Sequence, residues 1–486
     1  MGILKNNQIS TLMKNFGKPS NNSKRIKKND VFFAIKGLNK DGNDYIDDAI
    51  KNGAAAVVKE NDNYKKSINT DVSLYIVKDS KQSYSIACAE SHNNPSNKLD
   101  LCGITGTNGK TSVTHLLGEI WKKSGVGIIG TINISYGKKN IKSSLTTPDA
   151  YELNQYLSKM NENRIKKVFM EVSSHSLALS RVEGINFNSA IFTNISHDHL
   201  DFHKTMKNYY QSKAKLFSYY LNSSKKKNKL AVINIDDKYG AMIANQTKKN
   251  INLITYSTKN KDADFYLKKI IKLDSINRLI IKNKNKELIL DTKLFGLYNF
   301  QNILASVGFS KNKGLKIEDI YSGVKLFKGA PGRLEQISEK NSNIFIDYAH
   351  TPDALKKSII SLKENFKNKK LLILFGCGGD RDKGKRSKMG KIAASLGDNI
   401  IITSDNPRHE DPNEIIKDII SGINLDQRNK ITVISDRRKA IEYSVKKLEK
   451  DAQLLVAGKG HEDYQDIKGK RIKFSDKMEI KRCLKK

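Results

Sequence analysis

Cysteine is scarce in this chain: only four occur among 486 residues. They stand far apart and form no Cys-x-x-Cys pair; they are Cys88, Cys102, Cys377 and Cys483. This spacing argues against a zinc site or a disulfide framework and favours a reducing compartment, which we expect to be the cytoplasm. We interpret all four as ordinary buried or surface residues.

Long apolar runs are absent as well. Hydrophobic residues make up 38% of the chain, which is enough for ordinary cores, but no run approaches the ~20 residues that a bilayer-spanning helix needs. Residues 1–7 lack the apolar core of a signal peptide, and Asn6 stands where a myristoylation signal needs Ser or Thr. The sequence therefore predicts no membrane insertion.

Acidic residues are outnumbered by basic ones, 51 against 87, which gives a formal net charge of +36. Such a charge is typical of proteins that bind nucleic acid or anionic membranes. Lysine, however, is spread along the whole chain, with no zinc finger, aromatic RNA-binding signature or basic tail. We expect no nucleic-acid partner, and a basic nucleic-acid-associated ATPase is the alternative from a different functional class.

Three domains are predicted, at residues 1–97, 98–327 and 328–486, in line with the chain length. In the second and third, short apolar runs such as 168–171 and 371–375 end in polar residues and alternate with helical segments. This alternation indicates parallel, doubly wound sheets with ligands at the carboxyl ends of the strands. The predicted class is α/β, with a central P-loop domain and a Rossmann-like C-terminal domain.

A glycine-rich loop follows the apolar run before residue 106 and precedes an amphipathic helix. It reads Gly106-Thr107-Asn108-Gly109-Lys110-Thr111. Backbone N–H groups of such a loop face a phosphate, Lys110 can reach the β- and γ-phosphates of ATP, and the Thr111 hydroxyl can ligate Mg²⁺. Apolar residues three and four apart indicate the helix: Val113, Leu116, Leu117, Ile120 and Trp121.

The loop departs from the common P-loop pattern, because Ile104 stands where the first glycine is expected and the glycines are instead Gly103 and Gly106. This tighter variant predicts that ATP is bound with Mg²⁺ and leaves the use of the ATP open. The alternative interpretation is a Gly/Asn turn that contains a lysine by chance.

Two further segments carry candidate metal ligands. Glu171 ends a buried-type strand, where a carboxylate beside a phosphate loop is a natural Mg²⁺ ligand; the alternative is an ordinary polar strand terminus. His197, His199 and His203 lie within seven residues. They could form a transition-metal site, help to hold Mg²⁺ and the transferred phosphoryl group, or belong to a polar loop.

Read in order, these motifs resemble those of the ATP-dependent amide ligases that build the peptidoglycan peptide. The resemblance covers essentially the whole chain, and the ordered set is far more specific than any one motif. The matching segments are 106–111, 146–149, 171–175, 197–201, 298–302, 331–333 and 347–352.

The resemblance implies an ADP-producing ligase of cell-wall biosynthesis. Such an enzyme uses ATP to join meso-2,6-diaminopimelate to UDP-N-acetylmuramoyl-L-Ala-D-Glu through an acyl phosphate, and we expect it to act as a monomer. L-Lysine as the acceptor is one alternative. A folate polyglutamate ligase is another, against which the segment 458–462, Gly-Lys-Gly-His-Glu, argues.

The resemblance also implies roles for residues in the nucleotide domain. Asn299 and Asn302 match the nucleotide-binding segment, and Thr111, Glu171 and His199 match positions that hold the metal. The expected catalytic residues are Lys110, Glu171, His199 and Lys213. Lys213 matches a lysine that these ligases carbamylate. The chemistry is reasonable, because a neutral amine adds CO₂ and becomes an anion that can organise Mg²⁺. The spacing to Phe217 favours Lys213 over Lys215.

The UDP-muramoyl-dipeptide is expected, by the same resemblance, to contact residues of the first two domains. They are Ser23, Thr146, Thr147, Ser173 and Arg181. The family usually has Asp-Ser-Arg near the uridine, and this chain departs from that pattern with Asn22-Ser23-Lys24.

The acceptor amino acid is implied by the segment Asp405-Asn406-Pro407-Arg408, which matches the family signature for diaminopimelate. Diaminopimelate carries a second carboxylate that lysine lacks, and a guanidinium offers a planar, bidentate clamp for it. Arg381, Gly458 and Glu462 match further contacts, and Glu462 can bind the distal ammonium. The alternative for Arg408 is an ion pair with Asp405 or Glu410.

Overall fold

The structure is a computed structural model. It describes residues 3–37, 40–60, 72–273, 276–337 and 343–485. No helix within these residues is long and apolar enough to span a bilayer. Three large sheets, one in each predicted domain, organise the described residues, and the α/β prediction is confirmed. The exact boundaries after residues 97 and 327 stay predictions.

The first sheet has five strands, all parallel, in the order β1-β5-β4-β3-β2. Its strands are β1 (Ile3–Leu4), β2 (Pro19–Ser20), β3 (Asp30–Phe33), β4 (Ala54–Lys59) and β5 (Ser73–Val77). Its helices are α1 (Ile9–Asn15), α2 (Ile46–Lys51) and α3 (Ser80–Ser91). The segment 95–98, which reads as a linker in the sequence, is a 3₁₀-helix whose Pro95 carbonyl accepts a hydrogen bond from Asn161.

The second sheet has eleven strands in the order β16-β15-β14-β13-β12-β11-β6-β10-β7-β8-β9. The strands from β13 to β7 are parallel, whereas β7-β8-β9 and β14-β15-β16 are antiparallel extensions that the sequence did not predict. The strands are β6 (Asp100–Thr105), β7 (Val126–Ile129), β8 (Asn133–Tyr136), β9 (Lys139–Lys142), β10 (Lys167–Glu171), β11 (Ser189–Phe192), β12 (Leu230–Asn234), β13 (Asn252–Ser257), β14 (Phe265–Lys272), β15 (Asn277–Asn283) and β16 (Lys286–Thr292).

Helices cover both faces of this sheet. They are α4 (Lys110–Ile120), α5 (Ala150–Glu162), α6 (Ser174–Ala178), α7 (Leu200–His203), α8 (Met206–Lys215), α9 (Lys238–Gln246), α10 (Leu297–Asn312) and α11 (Ile317–Leu326). The predicted apolar face of α4 is buried with β6, α10 and α11 in one core cluster. Burial of this face holds α4 against β6, so that the glycine-rich loop lies between the end of β6 and the start of α4.

The third sheet has six strands in the order β17-β18-β22-β19-β20-β21, parallel except for β17. The strands are β17 (Glu335–Ile337), β18 (Ile344–Asp347), β19 (Lys370–Phe375), β20 (Asn399–Ile402), β21 (Ile431–Val433) and β22 (Ala452–Ala457), followed by the hairpin β23 (Tyr464–Ile467) and β24 (Lys470–Lys473). The helices are α12 (Pro352–Asn365), α13 (Gly384–Leu396), α14 (Pro412–Ile420), α15 (Arg437–Lys447) and α16 (Asp476–Lys485). The ends of β19, β20 and β22 carry the predicted acceptor residues to one edge of this sheet.

Candidate active site

The glycine-rich loop connects β6 to α4 and is braced by the segment after β11. The Asn108 N–H donates to Asn194 Oδ1 at 3.0 Å, and Thr193 Oγ1 donates to the Asn108 carbonyl at 2.6 Å. Gly109 has φ +88° at the start of α4, and a Cβ there would lie 2.5 Å from Asn302 Oδ1. Both the backbone angle and the close approach therefore require glycine at this position.

Lys110 is the first residue of α4 and folds back over the loop. Its Nζ donates to the carbonyls of Gly106 at 2.8 Å and Thr107 at 3.0 Å. Burial lowers the pKa of Lys110. The amine and the N-terminal N–H groups of α4 thus converge on the concave side of the loop, an arrangement suited to a phosphate.

Glu171 ends β10, beside β6, and is fully buried. Its carboxylate accepts hydrogen bonds from Thr111 Oγ1 at 2.9 Å, from the Thr131 N–H at 2.8 Å and from Thr131 Oγ1 at 3.0 Å. The predicted ligands Thr111 and Glu171 are therefore adjacent. Hydroxyl and carboxylate oxygens are the ligands Mg²⁺ prefers, usually together with phosphate and water, so this donor set fits Mg²⁺.

Lys213 lies on α8, just before a π-helical turn at Leu216–Leu221, and is 1% exposed. Its Nζ donates to the Gly106 carbonyl at 2.7 Å and lies 4.6 Å from the ring centre of Tyr209. Burial and the nearby Lys110 charge hold the pKa of Lys213 well below the ordinary lysine value. The lowered pKa favours the neutral amine, which is the state that can add CO₂, and the geometry places that amine against the phosphate loop.

The three clustered histidines occupy different surroundings. His199 has φ +55°, lies with its Nε2 3.4 Å from Asp198 Oδ2, and has a pKa lowered chiefly by burial. His203 is buried and contacts Ser174 Oγ at 3.0 Å, so it belongs to the packing of α6 rather than to a polar loop. No group of three or more His, Cys, Asp or Glu side chains among the described residues is arranged to hold a metal alone.

A narrow cavity of about 50 Å³ borders the glycine-rich loop where the second and third domains meet. Asn302 lines it, and its buried Nδ2 has no hydrogen-bond partner within the part of the chain that the structure describes. The Asn299 amide instead donates to the Phe295 carbonyl at 2.9 Å. An unpartnered buried donor beside the loop indicates a polar ligand such as a nucleotide.

A second cavity, of about 290 Å³, lies between the second and third domains. Its walls include His199 and Asp198 from one side and six of the seven predicted acceptor residues from the other: Arg381, Asp405, Asn406, Arg408, Gly458 and Glu462. Pro407 lies in the same loop, where its carbonyl accepts from the Glu410 N–H at 3.1 Å. The structure thus brings the predicted acceptor set to a predicted metal ligand.

Arg408 does not form the loop ion pair that was the alternative for it. Its Nη1 donates to the Gly379 carbonyl at 2.5 Å, and Glu410 is held by Arg386 at 2.8 Å. Gly458 has φ +112°, and a Cβ there would lie 2.4 Å from Asp405 Oδ2. Close approach of these two loops therefore depends on glycine.

The predicted muramoyl-dipeptide residues lie along a path from the first domain to Glu171. Ser23 lines a cavity of about 530 Å³ and Arg181 lines one of about 500 Å³. Arg181 Nη1 donates to the Thr147 carbonyl at 3.4 Å, and the Ser173 N–H donates to Thr147 Oγ1 at 3.0 Å. Thr146 Oγ1 accepts from Thr131 Oγ1 at 3.1 Å, beside Glu171.

Known proteins match this chain along nearly its whole length. Three family models match: "Mur ligase family, catalytic domain" at residues 20–93, "Mur ligase middle domain" at 104–310 and "Mur ligase, glutamate ligase domain" at 332–460. A Clostridium tetani protein named UDP-N-acetylmuramoyl-L-alanyl-D-glutamate–2,6-diaminopimelate ligase is 39% identical over 467 residues, which cover 95% of this chain and 93% of the relative. The chain belongs to the Mur ligase family.

Two further matches place this Mur ligase more narrowly. A relative of the same name from Caldanaerobacter subterraneus subsp. tengcongensis is 41% identical over 95% of this chain and 93% of its own. A solved structure of a ligase of that name has a TM-score of 0.68 and 29% identity, and it covers 97% of this chain and 95% of its own. The predicted family and three-domain fold are confirmed.

Sequence reasoning on this Mur ligase assigned no role to Arg333, although it recognised the motif 331–333. Arg333 reaches from the third domain to the glycine-rich loop, where its Nη2 donates to Thr111 Oγ1 at 3.3 Å. Its guanidinium lies 4.6 Å from the ring centre of Tyr348. Asp347 Oδ2 accepts from the N–H of the next residue, Leu334, at 2.6 Å and so holds this loop.

Proposed function

We propose that the chain joins meso-2,6-diaminopimelate to the D-glutamyl γ-carboxylate of UDP-N-acetylmuramoyl-L-Ala-D-Glu, with ATP cleaved to ADP and phosphate. The observation that carries this proposal is the cavity of about 290 Å³ in which Arg381, Arg408 and Glu462 face His199. An acceptor held by these side chains has its amine close to the domain that binds the phosphates.

The first step transfers the γ-phosphoryl group of ATP to the γ-carboxylate and forms an acyl phosphate. Lys110 and the N-terminus of α4 stabilise the phosphate charge, and Arg333 adds a second cation from the third domain. Thr147, Ser173 and Arg181 orient the dipeptide so that its carboxylate ends near Glu171. Asn299 and Asn302 contact the nucleotide.

Thr111, Glu171 and His199 would hold Mg²⁺ in this site. Mg²⁺ when bound neutralises phosphate charge and orients the transferred group. Lys213 as an N6-carboxylysine would turn a buried amine into an anion beside Lys110, which supports the same set. Exposure to ¹³C-bicarbonate followed by intact-mass and NMR measurement tests the modification, and an active enzyme with an unmodified Lys213 would contradict it.

The second step is attack of the diaminopimelate amine on the acyl carbon. A tetrahedral intermediate forms, the C–O bond to phosphate breaks, and the attacking nitrogen loses its proton as the amide is made. Arg408 and Arg381 bind the distal carboxylate, while Asp405, Asn406 and Glu462 surround the distal ammonium. Enclosure between two domains protects the acyl phosphate from water.

We place this reaction in the cytoplasm, carried out by a monomer without nucleic acid or membrane insertion. Within the described residues no disulfide joins Cys88, Cys102, Cys377 or Cys483, which suits a reducing compartment. The basic surface would attract the polyanionic UDP-linked substrate at long range.

An acceptor competition assay tests the function. Phosphate release and amide formation are measured with the muramoyl dipeptide and diaminopimelate, L-lysine, a folate or DNA. We expect turnover that requires both the dipeptide and diaminopimelate. Equal use of L-lysine would overturn the assignment of diaminopimelate as the acceptor. Turnover that depends on DNA, or that does not require the dipeptide, would overturn the proposed function.

A further inference from the structure

Lys459 is a buried lysine inside the acceptor loop, between Gly458 and Glu462. Its side chain is 0% exposed, although lysine amines are hydrated strongly and are rarely buried without partners. The contacts of its Nζ therefore define what this side chain does.

Besides lying 5.5 Å from the ring centre of Tyr464, the amine forms hydrogen bonds to two of the proposed acceptor residues. Lys459 Nζ donates to Asn406 Oδ1 at 2.9 Å and to Glu462 Oε2 at 3.0 Å. Asn406 Oδ1 also accepts from the Asp466 N–H at 3.0 Å, so its Nδ2 turns to Glu462 Oε2, to which it donates at 2.8 Å. Lys459 and the Asp466 N–H thus together set the orientation of the Asn406 amide.

The arrangement divides the Glu462 carboxylate into two edges. Oε2 is taken by Lys459 and Asn406, whereas Oε1 accepts one long hydrogen bond, 3.3 Å, from the Tyr348 hydroxyl. Glu462 and Asn406 line the acceptor cavity, and Lys459 stands behind them. The lone pairs of Oε1 are therefore the ones free to receive a ligand cation.

We propose that Lys459 is a positioning residue that makes the site prefer an acceptor with a second ammonium group. By fixing one edge of Glu462 it aims the other edge into the cavity that Arg408 also lines. The proposal rests on the proposed function, since it takes diaminopimelate as the acceptor.

The test compares diaminopimelate with 2-aminopimelate, which keeps both carboxylates and the reacting amine but lacks the distal ammonium. In Lys459→Met we expect kcat/KM for diaminopimelate to fall by about ten- to a hundredfold, the loss of a charged hydrogen-bonded contact. For 2-aminopimelate it stays within about twofold, as does KM for ATP. Lys470→Met, an exposed lysine on the adjacent hairpin, is the matched control and leaves the ratio unchanged.

The test distinguishes a failure of the proposed function from a failure of the positioning role of Lys459. If the unaltered enzyme makes no amide from diaminopimelate, the proposed function falls and this inference falls with it. If it does, and Lys459→Met loses both acceptors equally or neither, the positioning role alone is overturned.

A second comparison holds even if Lys459→Met does not fold. The double variant Lys459→Met/Glu462→Gln removes both charges and leaves no unpaired ion, so it is compared with Glu462→Gln alone. Equal discrimination between the two acceptors supports Lys459 acting through Glu462. A further fall in the double variant would overturn it.

Discussion

At the scale of single residues, one backbone carbonyl of the phosphate loop binds the amines of two buried lysines. The Gly106 carbonyl accepts from Lys110 Nζ at 2.8 Å and from Lys213 Nζ at 2.7 Å. Burial of both side chains lowers the pKa of both, and the charge of Lys110 lowers the pKa of Lys213 further. We therefore expect Lys110 to act as the cation of the loop and Lys213 to be the amine that reacts with CO₂.

Lys213→Met should stabilise the unmodified protein in a pH-dependent way. The folded-state pKa of Lys213 lies below its unfolded value near 10.4. At a pH above the unfolded-state pKa the lysine is neutral in both states and does not change the free energy of unfolding. As pH falls towards the folded-state pKa, the unfolded chain binds protons preferentially, so the free energy of unfolding of the wild type decreases. Calorimetry in CO₂-free buffer should show the unfolding temperature of the variant rising above that of the wild type as pH drops from about 10 to 7. A constant difference would contradict the lowered pKa.

Arg408→Ala should separate acceptor binding from nucleotide binding. Removal of a bidentate guanidinium–carboxylate contact costs about 1.5–3 kcal/mol, or about ten- to a hundredfold in KM for diaminopimelate. KM for ATP should change by less than about twofold, because Arg408 does not line the cavity beside the glycine-rich loop. Steady-state kinetics with each substrate varied provides the measurement. Equal losses for both substrates would remove Arg408 from its specificity role.

At the scale of elements, the acceptor loops depend on a buried ion pair between two helix starts. Arg437, which begins α15, donates to both carboxylate oxygens of Asp476, which begins α16, at 2.8 Å, and both side chains are 0% exposed. Arg437 also donates to the Ala457 carbonyl at 3.0 Å and the Ser404 carbonyl at 3.4 Å. It therefore ties together the strand ends that lead into Asp405 and Gly458.

Breaking this pair should destabilise the third domain alone. Arg437→Met leaves a buried carboxylate unpaired, which costs about 3–5 kcal/mol, whereas Arg437→Met/Asp476→Leu should recover most of that loss. Hydrogen exchange resolves the domains: protection of β22 and α16 falls and that of β6 does not. Arg438→Met, a half-exposed neighbour, is the control and costs less than about 1 kcal/mol. Equal loss of protection in β6 would argue against a local role.

The elements that the sequence predicted well are those in which an apolar strand ends directly in candidate site residues. The run before Gly106, the run ending at Glu171 and the apolar face of α4 could be recognised from local pattern alone, because burial on a parallel sheet leaves a short apolar signature. The antiparallel pairings within β7–β9 and β14–β16 were not predicted. Their alternation of apolar and polar residues resembles a polar loop when the partner strand is not known. Arg333 and Lys459 escaped because their roles arise only when separate loops meet.

At the scale of the whole molecule, the reaction requires that the third domain lie over the second. Among the polar contacts that join them are Arg333 with Thr111, Asn108 with Asp353, His197 with Asp382, and Lys142 with Asp463. Two of these involve the glycine-rich loop itself. The assignments of individual substrate contacts stay predictions, but the juxtaposition explains why acceptor residues three hundred positions from the loop share its chemistry.

The Lys142–Asp463 pair offers a charge-reversal test of that arrangement. Lys142 ends β9 of the second domain, and Asp463 follows Glu462 in the acceptor loop. The pair is more than half exposed, so it contributes only about 0.2–1 kcal/mol. Lys142→Glu should raise KM for diaminopimelate about two- to fivefold at low ionic strength, because like charges now hold the acceptor loop away from the second domain. The effect should fade in high salt.

Adding Asp463→Lys to Lys142→Glu should restore the low KM, since the reversed pair attracts again. Lys139→Glu changes the same charge on the same exposed strand and should leave KM unaltered, which separates the specific contact from the overall loss of positive charge. Small-angle scattering should show a larger radius of gyration for Lys142→Glu than for the double reversal. If the two variants scatter and turn over alike, the hairpin β8–β9 does not hold the closed arrangement, and closure depends on Arg333 and Asn108 instead.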